Sequence, residues 1–337
     1  MDPLSHAALG RTLIALAPPA RISRAAIVTA TLGALSPDVD AVFMPFGWDR
    51  YLRVHEVGTH TIGGVIVCGL MTAVAVRAFA RHAAFLPLVF AGCMGAASHV
   101  ALDLLSSARL RVFWPLADRQ VSIPLVAMAD PWLAAILLAG ALALWFGHGD
   151  RRWAAASVAL VAAFLTVKAV LGLRAYEAYR TATEAETVSN TIVEARWGSM
   201  AQWHVYDRTA NQVRIWRVSA GSPAARMTLA WSVGAETPGI AGSRALPAVR
   251  NFLRAHALPF PVSVQRSGNV EWILWSDIRY CWNASGVGAP RVEPVITVNG
   301  SSLACALWFG GEFDARGTAL RQIVKVGEFM QTRPADR

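Results

Sequence analysis

The sequence predicts an α-helical multi-pass membrane domain, with about four transmembrane helices plus N-terminal interfacial helices, followed by a small α+β soluble domain. Of 337 residues, 55% are hydrophobic and 16% charged, and the mean hydropathy is +0.40, a balance displaced toward membrane proteins. The apolar excess is gathered into four runs, 62–79, 83–105, 125–146 and 153–173, each near the roughly 20 residues that cross about 30 Å of hydrocarbon. Beyond Arg174 such runs cease, so the division expected is a membrane domain over 1–175 and a soluble domain over 176–337.

At the start, Asp2 can cap a helix that Pro3 opens, and the pattern runs to about Ala17 before Pro18-Pro19 stops it, which leaves His6 in the first turns. The N-terminus lacks the basic segment and cleavage site of a signal peptide. Residues 25–35 are too few to span and end in Ser36-Pro37-Asp38-Val39-Asp40, so they read as a buried or interfacial helix running into a turn. The first span follows His55-Glu56-Val57-Gly58-Thr59-His60, the second carries His99 and Asp103 in its last turns, and the third opens at Asp130-Pro131. With alternating spans, His6, Asp38, Asp40, His55 and His60 precede the first span on one side, and the second returns His99 and Asp103 to that side. Spans assigned by apolar length alone thus deliver every candidate ligand to one face.

His99 and Asp103, four apart on a helix, share a face about one turn apart, a spacing that suits one metal ion or one of a pair. An ionised Asp inside an apolar run costs on the order of 3 kcal/mol and needs a partner or a cavity. The bland alternative is a pair exposed to interfacial water. Asp38 and Asp40 offer a ligand plus a second ligand or general base, or else a helix cap or solvated turn. His60 stands at the start of the first span and His55 in the loop before it. His6 is a further ligand or only an N-terminal helix residue; the working set of metal ligands is His6, Asp38, His60, His99 and Asp103, with Asp40 or His55 completing the shell or orienting water. Mixed imidazole and carboxylate donors suit a divalent ion, zinc first, with manganese or iron as alternatives, better than calcium. Such an ion lowers the pKa of water toward neutrality and offsets charge on a carbonyl or phosphoryl oxygen, so metal-assisted hydrolysis is the chemistry expected.

Other features carry less. His82, His148, His204 and His256 read as surface or satisfied histidines, and Lys168 as a side chain snorkelling from a span end. Arg109, Arg111, Arg119 and Trp114 fit an interfacial girdle, or alternatively a grip on an anionic substrate. The net charge of +9 is spread over both halves without a basic block, which argues against nucleic acid as a partner. Cys68 and Cys93 read as buried thiols, while Cys281 and Cys305 can pair if the second half is extracytoplasmic. In that half the alternation predicts hairpins over 202–206 with 212–218, 261–265 with 270–275, and 294–298 with 303–309 through Asn299-Gly300. It predicts helices over 245–257 and 318–330.

Taken in order, Met1-Asp2-Pro3-Leu4-Ser5-His6-Ala7, Ser36-Pro37-Asp38-Val39-Asp40, His55-x4-His60-Thr61, Ser98-His99-x3-Asp103, Trp114-Pro115 and Asp130-Pro131 resemble the YdjM-type family of bacterial inner-membrane-associated proteins. The resemblance covers about residues 1–175, with the remainder similar to the extra C-terminal region of longer members. It implies a metal-dependent hydrolase of the inner membrane with His6, Asp38, His55, His60, His99 and Asp103 as site positions. The layout is also similar to zinc-dependent phospholipase C, which implies phosphoester substrates. The chain departs from the family pattern at Glu56-Val57, where Arg-Gly is usual, and at Ala108-Arg109. A membrane lipid or lipid-linked ester is the substrate expected at such a face. The rival expectations are a noncatalytic membrane regulator or scaffold with a structural metal, acting through a protein partner such as the LexA repressor, and a transporter with an ion relay.

Overall fold

The structure, a computed structural model, describes residues 2–18, 22–55, 57–147, 150–183, 186–222, 224–265, 270–284, 296–298, 301–327 and 329–334. Glu56 and His148 and the predicted turns at 266–269 and Asn299-Gly300 lie outside the described residues. The chain divides into two compact units, one of residues 1–42, 54–174 and 194–203, the other of 43–53, 175–193 and 204–337.

The first unit is helical. Helix α1 (Pro3–Ile14) starts where sequence chemistry places it, since the Asp2 carboxylate accepts from Ser5 N and Pro3 sits in the first turn. After the Pro18-Pro19 break, α2 (Arg24–Gly33) is capped by Ser23 and runs into a 3-10 helix (Ser36–Phe46) bent from it by 45°. Helix α4 (Ile62–Phe79) follows α3 (Trp48–Val54) and is capped by Thr61, whose side chain accepts from Gly64 N. Then come α5 (Phe85–Leu104), α6 (Pro131–Phe146) and α7 (Arg151–Ala182).

Among the described residues three helices, α4, α5 and α7, are long and apolar enough to cross a membrane, and a fourth is reached only if the bent pair counts as one span. The predicted third span is shorter than its apolar run. Residues 125 and 126 donate their N–H groups to the Leu105 carbonyl, so the chain is not helical there, and α6 begins at Pro131 with Asp130 capping Trp132 and Leu133 N–H groups. Its 16 residues still run from Leu133 and Leu137, packed with Leu102 and Ala8, to Leu144, packed with Ala15 and Ala154.

Helices α1 and α2 form a hairpin packed along the bundle. Its closed end places Ile14 and Ala26 against Ala73, Val76, Leu88 and Ala91, at the end of the bundle where α4 meets α5. Small residues allow the approach. A Cβ on Gly92 would stand 2.3 Å from the Gly69 carbonyl oxygen, and one on Gly33 would stand 2.5 Å from the Gly92 carbonyl oxygen, the close backbone packing by which membrane helices associate.

Lys168 does not snorkel. It is fully buried, donates to the Ser199 carbonyl at 3.1 Å and lies 3.7 Å from the buried Asp130 carboxylate and over the Trp203 ring.

The second unit is mainly β. Its sheets are β1–β4 (Asn190–Ala195, Gln202–Arg208, Gln212–Ser219, Arg226–Ser232) in sequential order, a five-stranded sheet, and a three-stranded sheet ordered β7-β9-β8 (Cys281–Asn283, Ser301–Cys305, Ile296–Val298). The five-stranded sheet runs β12-β11-β10-β6-β5, with β5 Pro259–Gln265, β6 Glu271–Asp277, β10 Leu307–Phe313, β11 Ala319–Val326 and β12 Phe329–Pro334. Helices α8 (Pro238–Ser243) and α9 (Pro247–Ala255) accompany it, and Ile240, Leu246, Val249 and Phe252 share a core with Ile273, Phe309 and Phe313. Trp48 and Leu52 of α3 pack against the same core.

The predicted helix over 318–330 is instead β11 and β12. Leu320, Ile323 and Val324 satisfy helical spacing, but Ile323, Val324 and Val326 are β-branched and pair across β10 and β12, and Gly327 at φ 56° turns the chain between the strands. The predicted strand over 303–309 is also divided, with β9 and β10 in different sheets. Cys281 and Cys305 face one another between β7 and β9 and form a disulfide.

A buried polar network holds β2 to β3. Asp207 accepts both Nε and Nη2 of Arg214 at 2.7 Å, the Tyr179 hydroxyl at 2.6 Å and Trp216 Nε1 at 3.0 Å. Hydrogen bonding to Asp207, and to Glu186, outweighs burial and raises the Arg214 pKa.

Candidate metal centre

Four segments of the helical unit converge at the end where α4 begins and α5 ends. Helix α5 contributes His99 and Asp103, whose i,i+4 spacing brings His99 Nε2 to 3.1 Å from Asp103 Oδ2. His60, one residue before the α4 cap, approaches the same carboxylate oxygen at 3.5 Å and His99 Nε2 at 3.2 Å. Asp38, in the 3-10 helix, presents Oδ1 at 3.6 Å from His60 Nε2 and 3.4 Å from His99 Nε2. One ligand atom from each of these four residues lies within 4.8 Å of the others, the geometry of a group able to hold a metal ion.

The ring orientations fit that use. His99 Nδ1 donates to the Ala34 carbonyl at 2.7 Å, so a neutral His99 carries its lone pair on Nε2, toward the cluster. His60 Nδ1 lies 3.0 Å from the Thr59 hydroxyl, which donates to Asp40 Oδ2 at 3.1 Å. The hydroxyl therefore accepts from His60 Nδ1, and the His60 lone pair also faces inward. Two imidazole nitrogens 3.2 Å apart, both deprotonated, repel unless a cation stands between them and the carboxylates. Burial disfavours a charged His60, but Asp103 and Asp38 outweigh it and raise its pKa.

His6, in the first turn of α1, stacks on His99 with ring centroids 3.8 Å apart and lies 3.3 Å from Asp103 Oδ1. Both of its ring nitrogens are buried and, among the described residues, neither makes a hydrogen bond. His6 thus adjoins the four-residue group through Asp103 and His99 without being one of its four donors.

Asp40 and His55 stand behind the four-residue group. Asp40 is buried and accepts from His55 Nδ1 at 3.1 Å as well as from Thr59. His55, with about a fifth of its side chain exposed, forms an edge contact with His60 at a centroid distance of 5.6 Å. Thr59 was not singled out by its sequence pattern, and neither was the Ala34 carbonyl. The hydroxyl adjoining a span-opening His was the available signal for the first; a backbone carbonyl leaves none.

The remaining candidates lie elsewhere. Arg111 is buried and paired with Asp118 at 2.9 Å in a loop closed by the Leu110–Val121 bridge, while Phe113, Trp114 and Leu116 are exposed. His82 is exposed, His204 adjoins Tyr206, and His256 bonds the Phe252 carbonyl at 2.9 Å.

Among solved structures there is no match to this chain. A curated protein of Bacillus subtilis (strain 168), described as uncharacterized protein YfhP, is 24% identical over 202 residues, 58% of this chain and 60% of the relative. The chain thus spans about three fifths of the length of that relative. The family model described as YdjM inner membrane protein matches residues 1–175, more than half of the chain and the stretch that contains every residue of the cluster. With three to four apolar helices long enough to cross a membrane, this multi-pass protein of the bacterial inner membrane belongs to the YdjM inner membrane protein family.

Proposed function

We propose that the protein is a membrane-bound metal-dependent hydrolase acting on an ester or phosphoester at the membrane surface. The observation that carries this reading is the convergence of Asp38, His60, His99 and Asp103 with both imidazole lone pairs turned inward. These four residues, with His6 beside Asp103, would hold a divalent ion, zinc being the best match to two or three imidazoles and two carboxylates. A bound ion supplies water activation and neutralises charge on the substrate oxygen.

The residues around it have separate tasks. Ala34 and Thr59 fix the tautomers of His99 and His60, and Asp40 anchors Thr59, the supporting layer that metal-bound imidazoles require. His55, held through Nδ1 by Asp40, would act as the general base, taking a proton and returning it to a leaving group.

A lipid or lipid-linked substrate fits the approach to the site. Asp38 is the one member of the four with substantial side-chain exposure, 39%, and the residues beside it and beside His60, namely Val39, Val42 and Ile62, are exposed and apolar.

The test uses purified full-length protein in detergent, assayed for metal content and for turnover of phosphodiester, phosphomonoester and carboxylic ester lipids in mixed micelles. Stoichiometric metal with turnover lost in Asp103→Asn and His55→Gln is expected. Absence of metal sinks the reading; metal without turnover across the panel favours a structural ion in a regulator that acts through a protein partner.

A further inference from the structure

We infer that the cluster opens on the extracytoplasmic side of the inner membrane, so that its substrate, on the hydrolytic reading above, is an ester-bearing lipid headgroup of the outer leaflet. Sidedness rests on the path of the chain and the disulfide it carries, and the spacing of arginine accords with it.

His6 at the start of α1, the Ala34 carbonyl after α2, His60 before α4, His99 and Asp103 in the last turns of α5 and Asp130 before α6 all belong to one end of the bundle. Helix α6 leaves that end and α7 returns to it, as the pairings of Leu144 with Ala154 and of Leu137 with Phe164 require. The chain that follows α7 therefore emerges on the site's side of the bilayer. That chain carries the Cys281–Cys305 disulfide, its two residues opposed in register between β7 and β9 and both buried. Disulfides persist outside the bacterial inner membrane and are rare in the reducing cytosol. Cys68 and Cys93, within the helices, are unpaired.

The end of the bundle remote from the site carries Arg11, Arg24, Arg77, Arg151 and Arg152 in the last or first turns of the helices that meet there, and Arg81 in the turn between α4 and α5. The turns between these helices are short. The far longer connections at the site end hold Arg50, Arg53, Arg109, Arg111 and Arg119, and α7 adds Arg174 and Arg180 on that side, so the two ends differ in how closely the arginines are spaced and not in their number. Close spacing of arginine in short connections accords with a cytoplasmic face at the remote end; the disulfide and the path of the chain carry the assignment.

The leaflet follows from the approach to Asp38. His60, His99 and Asp103 have side chains at most 6% exposed, so a substrate arrives past Asp38 and its apolar neighbours Val39 and Val42. A headgroup entering there is drawn from the lipid that bathes these residues.

Sidedness is tested on the full chain in spheroplasts with Cys68→Ser and Cys93→Ser as background, using a membrane-impermeant maleimide. Leu116→Cys, in the exposed site-end loop, should label without permeabilisation and His82→Cys only after it, and Cys281 and Cys305 of the protein denatured after recovery should label only with a reductant. Any other pattern, equal labelling included, overturns the orientation. The leaflet is tested with a fluorescent short-chain phosphodiester lipid added to spheroplasts and to inverted vesicles, with Asp103→Asn as control. Turnover in spheroplasts at least tenfold above that in inverted vesicles is expected; equal or reversed turnover overturns the leaflet assignment. No turnover in either preparation removes the hydrolytic reading and the substrate assignment with it, while the labelling still decides the side.

Discussion

Replacing His99 by Ala tests the centre at the residue with most connections. His99 Nε2 faces Asp103, Asp38 and His60 at 3.1, 3.4 and 3.2 Å, and its Nδ1 is held by Ala34. Removing a residue that only orients a metal ligand lowers affinity by about 10- to 100-fold. Loss of a direct ligand should exceed the upper end, roughly 2.8 kcal/mol at about 1.4 kcal/mol per decade. Thr59→Val, which removes the hydroxyl between His60 and Asp40 and leaves the four donors in place, should fall within that 10- to 100-fold range. The assay is competition for zinc against a chromophoric chelator, with elemental analysis of desalted protein and His82→Ala as the unaffected control. The ordering wild type, Thr59→Val, His99→Ala is the prediction. A His99→Ala variant that keeps wild-type affinity, or a Thr59→Val variant weaker than it, would refute the assignment of direct and supporting roles.

Three further outcomes follow from packing and charge. Gly92→Ala forces a Cβ to 2.3 Å from the Gly69 carbonyl oxygen and should lower stability in detergent by about 1–3 kcal/mol, read as a fall in unfolding midpoint. Lys168→Met leaves the buried Asp130 carboxylate without its cation and should cost about 3–5 kcal/mol, with Lys168→Met/Asp130→Asn recovering most of the loss; equal loss in the double variant refutes the pairing. Asp277 is buried, which alone would raise its pKa, but Arg279 outweighs burial and lowers it. Its stabilisation is therefore present above the unfolded value of about 3.9 and lost as pH falls through the lower folded value. Asp277→Asn should cost about 3 kcal/mol near neutral pH, and its deficit should shrink below pH ~4 in urea unfolding curves taken at several pH values.

Legibility differed with the range of the interactions. The bounds of α4 coincide with an apolar run that Thr61 caps, and the start of α1 is written in Asp2 and Pro3. His99 and Asp103 were legible as a pair because helical spacing alone puts them on one face. Their convergence with Asp38 and His60 followed from counting membrane crossings, which is a long-range statement of an unusually simple kind. Three features depended on partners distant in sequence. Lys168 is 38 residues from Asp130 and 31 from Ser199, and nothing beside it marks burial. The β11 and β12 strands carry helix-compatible spacing and are decided by pairing with β10. Residues 125–129 continue the hydropathy of α6 but are kept out of the helix, residues 125 and 126 by the Leu105 carbonyl, which hydropathy does not register.

The carbonyl that orients His99 belongs to Ala34, after α2, while His99 lies on α5, which leaves the ribosome some sixty residues later. The early hairpin of α1 and α2 must therefore wait, with His6 and the Ala34 carbonyl unmatched, until α5 docks against it. On the hydrolytic reading, metal capture would then wait for α5 to dock, and a loaded centre would report that the first five helices are in place.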